Sequence, residues 1–229
     1  MATIADNLRV IKERVARACE RVGRDPSEVM IVGAAKQVEA ERICQAVEAG
    51  LQHVGENYVQ EAMHKAPSLP SGVVWHFIGH LQTNKVRQAV GLFDWIHSVD
   101  RVKLAEEISK RARQMGRTIR CLVEVNLGHE ESKSGVVPEE LTGLLSEIKD
   151  LPNIEVVGLM AIPPVRESAE ASRSDFRKMR ELLEEVNDKR IANVRLAHLS
   201  MGMSADFEVA VEEGATIVRI GTALFGPRH

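Results

Sequence analysis

The chain has 229 residues, of which 44% are hydrophobic and 28% charged. Thirty Lys and Arg against 33 Asp and Glu leave a net charge of −3 with no basic block, which excludes the electrostatic footprint of a nucleic-acid binder. Charges run all through "MATIADNLRVIKERVARACERVG", so this first stretch is read as neither a secretion signal nor a membrane span.

A first helix is predicted from about Ile4 to Val22, with Gly23 as its stop. Eight short, β-rich apolar runs follow: "VMIVGAA", "QHVG", "VVWHFIG", "DWIHSV", "IRCLVEVN", "IEVVGLMAI", "VRLAHLS" and "TIVRIG". Each of the first seven leads into helical spacing. Gly50, Gly116 and Gly214 read as helix stops, Pro138 with Glu139 and Glu140 as one start, and Ser204 with Asp206 as another. Strands alternating with helices imply parallel pairing, and near-continuous apolar strands imply burial on both faces. Cys19, Cys44 and Cys121 are scattered over two predicted helices and a strand, so they read as small buried hydrophobes in a reducing cytoplasm.

Two segments resemble each other, "AVEAGLQHVGE" from 46 to 56 and "AVEEGATIVRIG" from 210 to 221. Both read helix, stop glycine, strand, as equivalent units of a closed ring would. No stretch looks like an interdomain linker. The expectation is a single domain over residues 1–229, a (β/α)8 TIM-type barrel with an extra N-terminal helix and a truncated last helix. A doubly wound open sheet is the alternative.

In a barrel, chemistry sits at the C-terminal ends of the strands. Lys36 ends the first apolar run. It is either an amine at a pocket rim, able to condense with an aldehyde, or a snorkelling lysine that begins a loop. At the other end of the chain, Gly221 and Thr222 open a helical turn directly after strand eight, with Ser200 and Gly202 ending strand seven next door. Backbone N–H groups and hydroxyls there can take an anion, and a phosphate cradle after strands seven and eight is common in barrels. Strands one and eight are neighbours when a barrel closes. The pair therefore describes a site for a phosphorylated aldehyde.

Other motifs carry less. His76 and His80 lie four apart on a strand rather than a helix, so they read as rim or core histidines and not as a zinc pair. Ser204 lacks the glycine of a nucleophile elbow and reads as a helix cap. Trp75 and Trp95 read as core. Lys85 and Lys133 lie on predicted mouth loops as solvated surface, with a secondary aldehyde site as the other reading.

"AAKQ" (34–37), "GENYVQE" (55–61), "WHFIGHLQTNK" (75–85), "HSVDR" (97–101), "KSG" (133–135), "GLMAIPP" (158–164) and "LSMGMSADFEVAVEEGATIVRIGTALFG" (199–226) together resemble the pyridoxal 5′-phosphate homeostasis protein family. That family is similar to the barrel domain of alanine racemase. The resemblance implies that Lys36 holds pyridoxal phosphate as a lysine aldimine. It implies that Ser200, Gly221 and Thr222 take the phosphate, that Arg219 faces the pyridine nitrogen and that Asn57 lies near the ring. Ala35 and Gln37 depart from the Ser and Thr that many members carry. As strand neighbours of Lys36 they are expected to point to the opposite face.

The implied function is to hold the cofactor and pass it on within the cell, with little or no catalysis and PLP-dependent apo-enzymes as partners. A monomer is expected, with no metal, membrane or nucleic acid. The alternatives are a racemase-like enzyme and a cofactor-free Schiff-base aldolase. A racemase needs a base on each face of the α-carbon, and alanine racemase takes its second, a tyrosine, from an additional domain. Here the single tyrosine is Tyr58.

Overall fold

The computed structural model describes residues 2–128, 134–164 and 166–227. Eight strands run β1 (Met30–Ala34), β2 (His53–Glu56), β3 (Val74–Phe77), β4 (Trp95–Val99), β5 (Ile119–Glu124), β6 (Ile154–Met160), β7 (His198–Ser200) and β8 (Ile217–Ile220). All neighbours are parallel and β8 pairs back onto β1, so the sheet closes as a barrel. The helices are α1 (Ile4–Arg21), α2 (Ala40–Glu48), α3 (Val59–Lys65), α4 (Val86–Leu92), α5 (Val102–Gln114), α6 (Pro138–Ile148), α7 (Arg173–Asp188), α8 (Phe207–Glu212) and α9 (Thr222–Phe225). The expected TIM-type (β/α)8 fold is the one observed, and the open-sheet alternative falls with closure.

Strand alternation divides the apolar residues in two. Val32, Trp95, Leu122, Met160 and Ile217 form a small cluster inside the barrel. Their strand neighbours Ile96, Cys121, Val123, Leu159 and Val218 point outward into the main core under the helices. Each buried aliphatic side chain there contributes about 1.5–3 kcal/mol. Position parity thus divides the strand side chains between the lumen and the helix layer, except where the register shifts in β4 and between β5 and β6.

The extra first helix begins at a capping box between Thr3 and Asp6 and buries Leu8, Ile11, Val15 and Ala18. Gly23 follows it with φ 69°, a left-handed conformation that glycine adopts without strain. The extra helix α1 covers the gap left by the four-residue α9. It packs against α8 and α9; Asn7 donates to the Leu224 carbonyl at 2.9 Å, and Arg14 pairs with Glu208 at 2.6 Å.

Strand seven is shorter than expected. Residues 194–197 lie outside it; at Leu196, Asn187 on α7 accepts from the N–H at 3.0 Å and donates to the carbonyl at 2.9 Å. Those backbone groups are taken by a side chain before the ladder begins. The start of α8 differs as well: Asp206, not Ser204, is the cap residue, and its carboxylate accepts from the Met203 N–H at 2.7 Å.

Candidate functional site at the C-terminal mouth of the barrel

Lys36 lies two residues past the end of β1 and is half-buried. It belongs to a turn rather than the strand: Val38 N–H donates to the Ala35 carbonyl at 3.0 Å, and Gln37 has φ 60°. The expected alternation therefore stops at Ala35, which points outward into the main core. The turn is held from below. Gln37 N–H donates to Glu61 at 3.0 Å, and Lys65 donates to the Ala35 carbonyl at 2.9 Å.

Ladder register decides what surrounds this turn. Ala34 pairs with Gly55, so Asn57 sits level with Lys36 on one side. Gly33 pairs with Ile220, so Gly221 and Thr222 rise beside it on the other. A Cβ built on Gly221 would stand 3.6 Å from the Ala34 carbonyl oxygen. Asn57 is half-buried and lines two cavities of the mouth. Its backbone is approached so closely by Gly79 that a Cβ there would lie 2.4 Å from the Asn57 carbonyl oxygen; only glycine fits.

Ser200 and Arg219 are brought together inside the lumen. Arg219 donates from Nη1 to Ser200 Oγ at 2.6 Å and to the Ser200 carbonyl at 2.8 Å, and from Nη2 to the Ala161 carbonyl at 2.9 Å. Burial lowers its pKa to about 10, opposed by the charges of Glu124 and Asp206, and leaves it charged at neutral pH. Thr222 is exposed at the first position of α9. Ser204, expected to cap α8, instead accepts from the Ala223 N–H at 3.1 Å and so steadies α9 from β7's side.

Two features escape sequence reading. Glu124 ends β5 facing the lumen and lines a mouth cavity of about 250 Å³ with Asn57, His80 and Asn126. Burial raises its pKa to about 7; Asp100 raises it further and Arg219 opposes. The second feature is a line of histidines. His53 Nδ1 lies 3.0 Å from His76 Nε2, His76 Nδ1 lies 2.9 Å from His97 Nε2, and His97 Nδ1 lies 3.0 Å from Ser200 Oγ. Buried polar residues at inward strand positions were the available signal. Lys85 is half-buried and lines a neighbouring cavity of about 340 Å³ with Tyr58 and His80; Lys133 lies outside the described residues.

Among the six expected residues, the donors are one amine, one guanidinium, two hydroxyls, an amide and the backbone at Gly221, without a carboxylate. That set suits an aldehyde joined to a phosphate.

Comparison with known proteins agrees. The family model for the alanine racemase N-terminal domain matches residues 2–229. The pyridoxal phosphate homeostasis protein of Aquifex aeolicus is 51% identical over 97% of this chain and 97% of its own. That of Pseudomonas aeruginosa is 43% identical over 100% and 97%. The structure of PipY from Synechococcus elongatus with PLP bound is 39% identical and covers 94% of this chain and 100% of its own, with a TM-score of 0.82. The chain belongs to the pyridoxal phosphate homeostasis protein family, within the alanine racemase N-terminal domain family.

Proposed function

We propose that this chain, a single domain over residues 1–229, holds pyridoxal phosphate at the barrel mouth and serves its supply within the cytoplasm, with little or no catalysis of its own. The observation that carries the reading is the register of β1 against β8, which sets the Lys36 turn beside Gly221 and Thr222. It is supported by the relative PipY, whose structure has PLP bound. Among the described residues no helix is long and apolar enough to cross a membrane. A monomer that passes its cargo to PLP-dependent apo-enzymes, without nucleic acid, completes the reading.

Pyridoxal phosphate supplies an aldehyde that condenses with an amine, and a phosphate that anchors it. Lys36 provides the amine from a turn clamped by Lys65 and Glu61. Thr222 and the backbone at Gly221 would take the phosphate, with Ser200 assigned to it by the family resemblance, and Asn57 would border the ring. Arg219, charged and tied to Ser200 and Ala161, keeps a proton off a ring nitrogen set beside it. Without that proton a bound ring would be a weak electron sink, which fits the reading of little or no catalysis.

The test is the visible spectrum of the purified protein with pyridoxal phosphate, before and after borohydride, with the labelled residue located by peptide mass. Lys36→Ala is expected to abolish the band and leave the fold intact. A label fixed on Lys85 or Lys133 with Lys36 unmodified sinks the assignment.

A further inference from the structure

The end of β5 turns a carboxyl group into the barrel mouth with no donor bonded to it. Leu122 lies inside the barrel, and two-residue alternation sets Glu124 inward after it. Glu124 is 9% exposed and lines the mouth cavity of about 250 Å³. Its main chain is held firmly. The carbonyl oxygen accepts from the Val136 N–H at 2.8 Å, and a Cβ built on Gly135 would stand 3.2 Å from the same oxygen. Its side chain is not held: among the described residues no hydrogen bond or ion pair reaches the carboxyl. A carboxyl group so buried and so bare is costly, and a ligand that brings its own donors removes the cost.

The surrounding charges decide which ligand that is. Asp100, just past β4, faces Glu124 with the same sign and is itself paired with Arg101 at 2.5 Å. Arg219 on β8 faces it with the opposite sign, but its donors are spent on Ser200 and the Ala161 carbonyl. His80, past β3, lies at the exposed rim and shares a 2.8 Å hydrogen bond with Ser134. No Lys or Arg stands among the described lining residues, so an anion is disfavoured. Among the described residues no group of three His, Cys, Asp or Glu side chains is placed to hold a metal ion. An organic cation remains. An ammonium carries three donors on one nitrogen, and Asn57 lines the same cavity as Glu124. Ile78, Ile162 and Pro164 line it too, with Ile162 44% exposed, which suits a short apolar stem.

We propose that the mouth cavity around Glu124 is a binding site for a small primary amine, held as its ammonium by the Glu124 carboxylate with its stem against Ile78 and Ile162. The site adjoins the proposed cofactor site through Asn57 and does not depend on it. Burial raises the Glu124 pKa to about 7, with Asp100 adding to the rise and Arg219 opposing it. An ammonium beside the carboxyl draws that value back down. Binding is therefore coupled to loss of the Glu124 proton, and the amine binds more tightly as pH rises through 7.

Isopropylamine is the probe, added to the full chain freed of pyridoxal phosphate, with the glutamate carboxyls labelled with carbon-13. The signal missing in Glu124→Gln identifies Glu124. Saturation with isopropylamine is expected to lower its titration midpoint by about one pH unit. Glu124→Gln, which keeps the shape, should bind the amine about tenfold more weakly or worse. Alanine, whose carboxylate enters a negative field, should bind less well than isopropylamine. A midpoint that the amine leaves in place would show that solvent satisfies the carboxyl, and the proposal falls. Equal affinity in Glu124→Gln places the amine elsewhere on the surface and overturns it as well. Alanine binding as tightly as isopropylamine overturns the choice of a simple amine. None of these outcomes bears on the visible band, so the cofactor reading stands or falls separately.

Discussion

The Lys65 ammonium lies 2.7 Å from the carboxylate of Glu56, a residue with no exposed surface, and 2.9 Å from the Ala35 carbonyl oxygen. Both acceptors are spent on one cation beneath the turn that carries Lys36. Burial pushes Glu56 upward, and Lys65 is what draws it back. Removing the cation leaves a buried carboxylate without its partner, so Lys65→Met is expected to destabilise the fold by about 3–5 kcal/mol. Adding Glu56→Gln removes the orphan charge and should recover much of that loss. Urea unfolding of the two single variants and the double variant gives the coupling; strict additivity would show that the pair is not a unit.

Thr222→Val keeps the shape of the first residue of α9 and deletes one donor. If Thr222 serves an anion, affinity for pyridoxal phosphate should fall by about 1–3 kcal/mol. Pyridoxal affinity should hardly change. Titration followed in the visible band, with both ligands, makes the comparison, and equal losses would mean a general distortion of the mouth.

Glu124 offers a pH signature. Its folded pKa of about 7 stands above the ordinary 4.5. A carboxyl whose pKa is raised by folding contributes stability that is fully present below the unfolded value and is lost as pH rises through the folded one. Glu124→Gln mimics the protonated form. The variant and the parent should match below about pH 4.5, and the variant should become the more stable by roughly 2–3 kcal/mol above pH 8. Chemical denaturation across that range measures it. A constant difference at all pH values would assign Glu124 an ordinary carboxylate pKa.

The non-catalytic reading predicts no measurable exchange of the α-proton of alanine in deuterated water, followed by NMR with protein and pyridoxal phosphate. Tyr58, the single tyrosine, is 58% exposed at the start of α3, a poor setting for a shielded second base. Rapid exchange that disappears in Lys36→Ala would restore the racemase-like reading.

What the amino-acid order determined alone is local. Short, near-continuous apolar runs rich in β-formers set the eight strands. Stop glycines such as Gly23 set the helix ends, because their left-handed φ is encoded one residue at a time. The rim lysine was legible as a polar residue closing an apolar run. The shortened β7 was not, since Asn187 reaches its backbone from the end of another helix. Nor was Ser204 legible as a partner of Ala223, nor Glu124 as a buried carboxyl. The line from His53 to Ser200 joins residues up to 103 positions apart at a single link. Parity puts each of them in the lumen, but only barrel closure and strand register decide which lumen residues meet. That register arises from the whole ring of strands packing at once, and no segment of the chain carries it by itself.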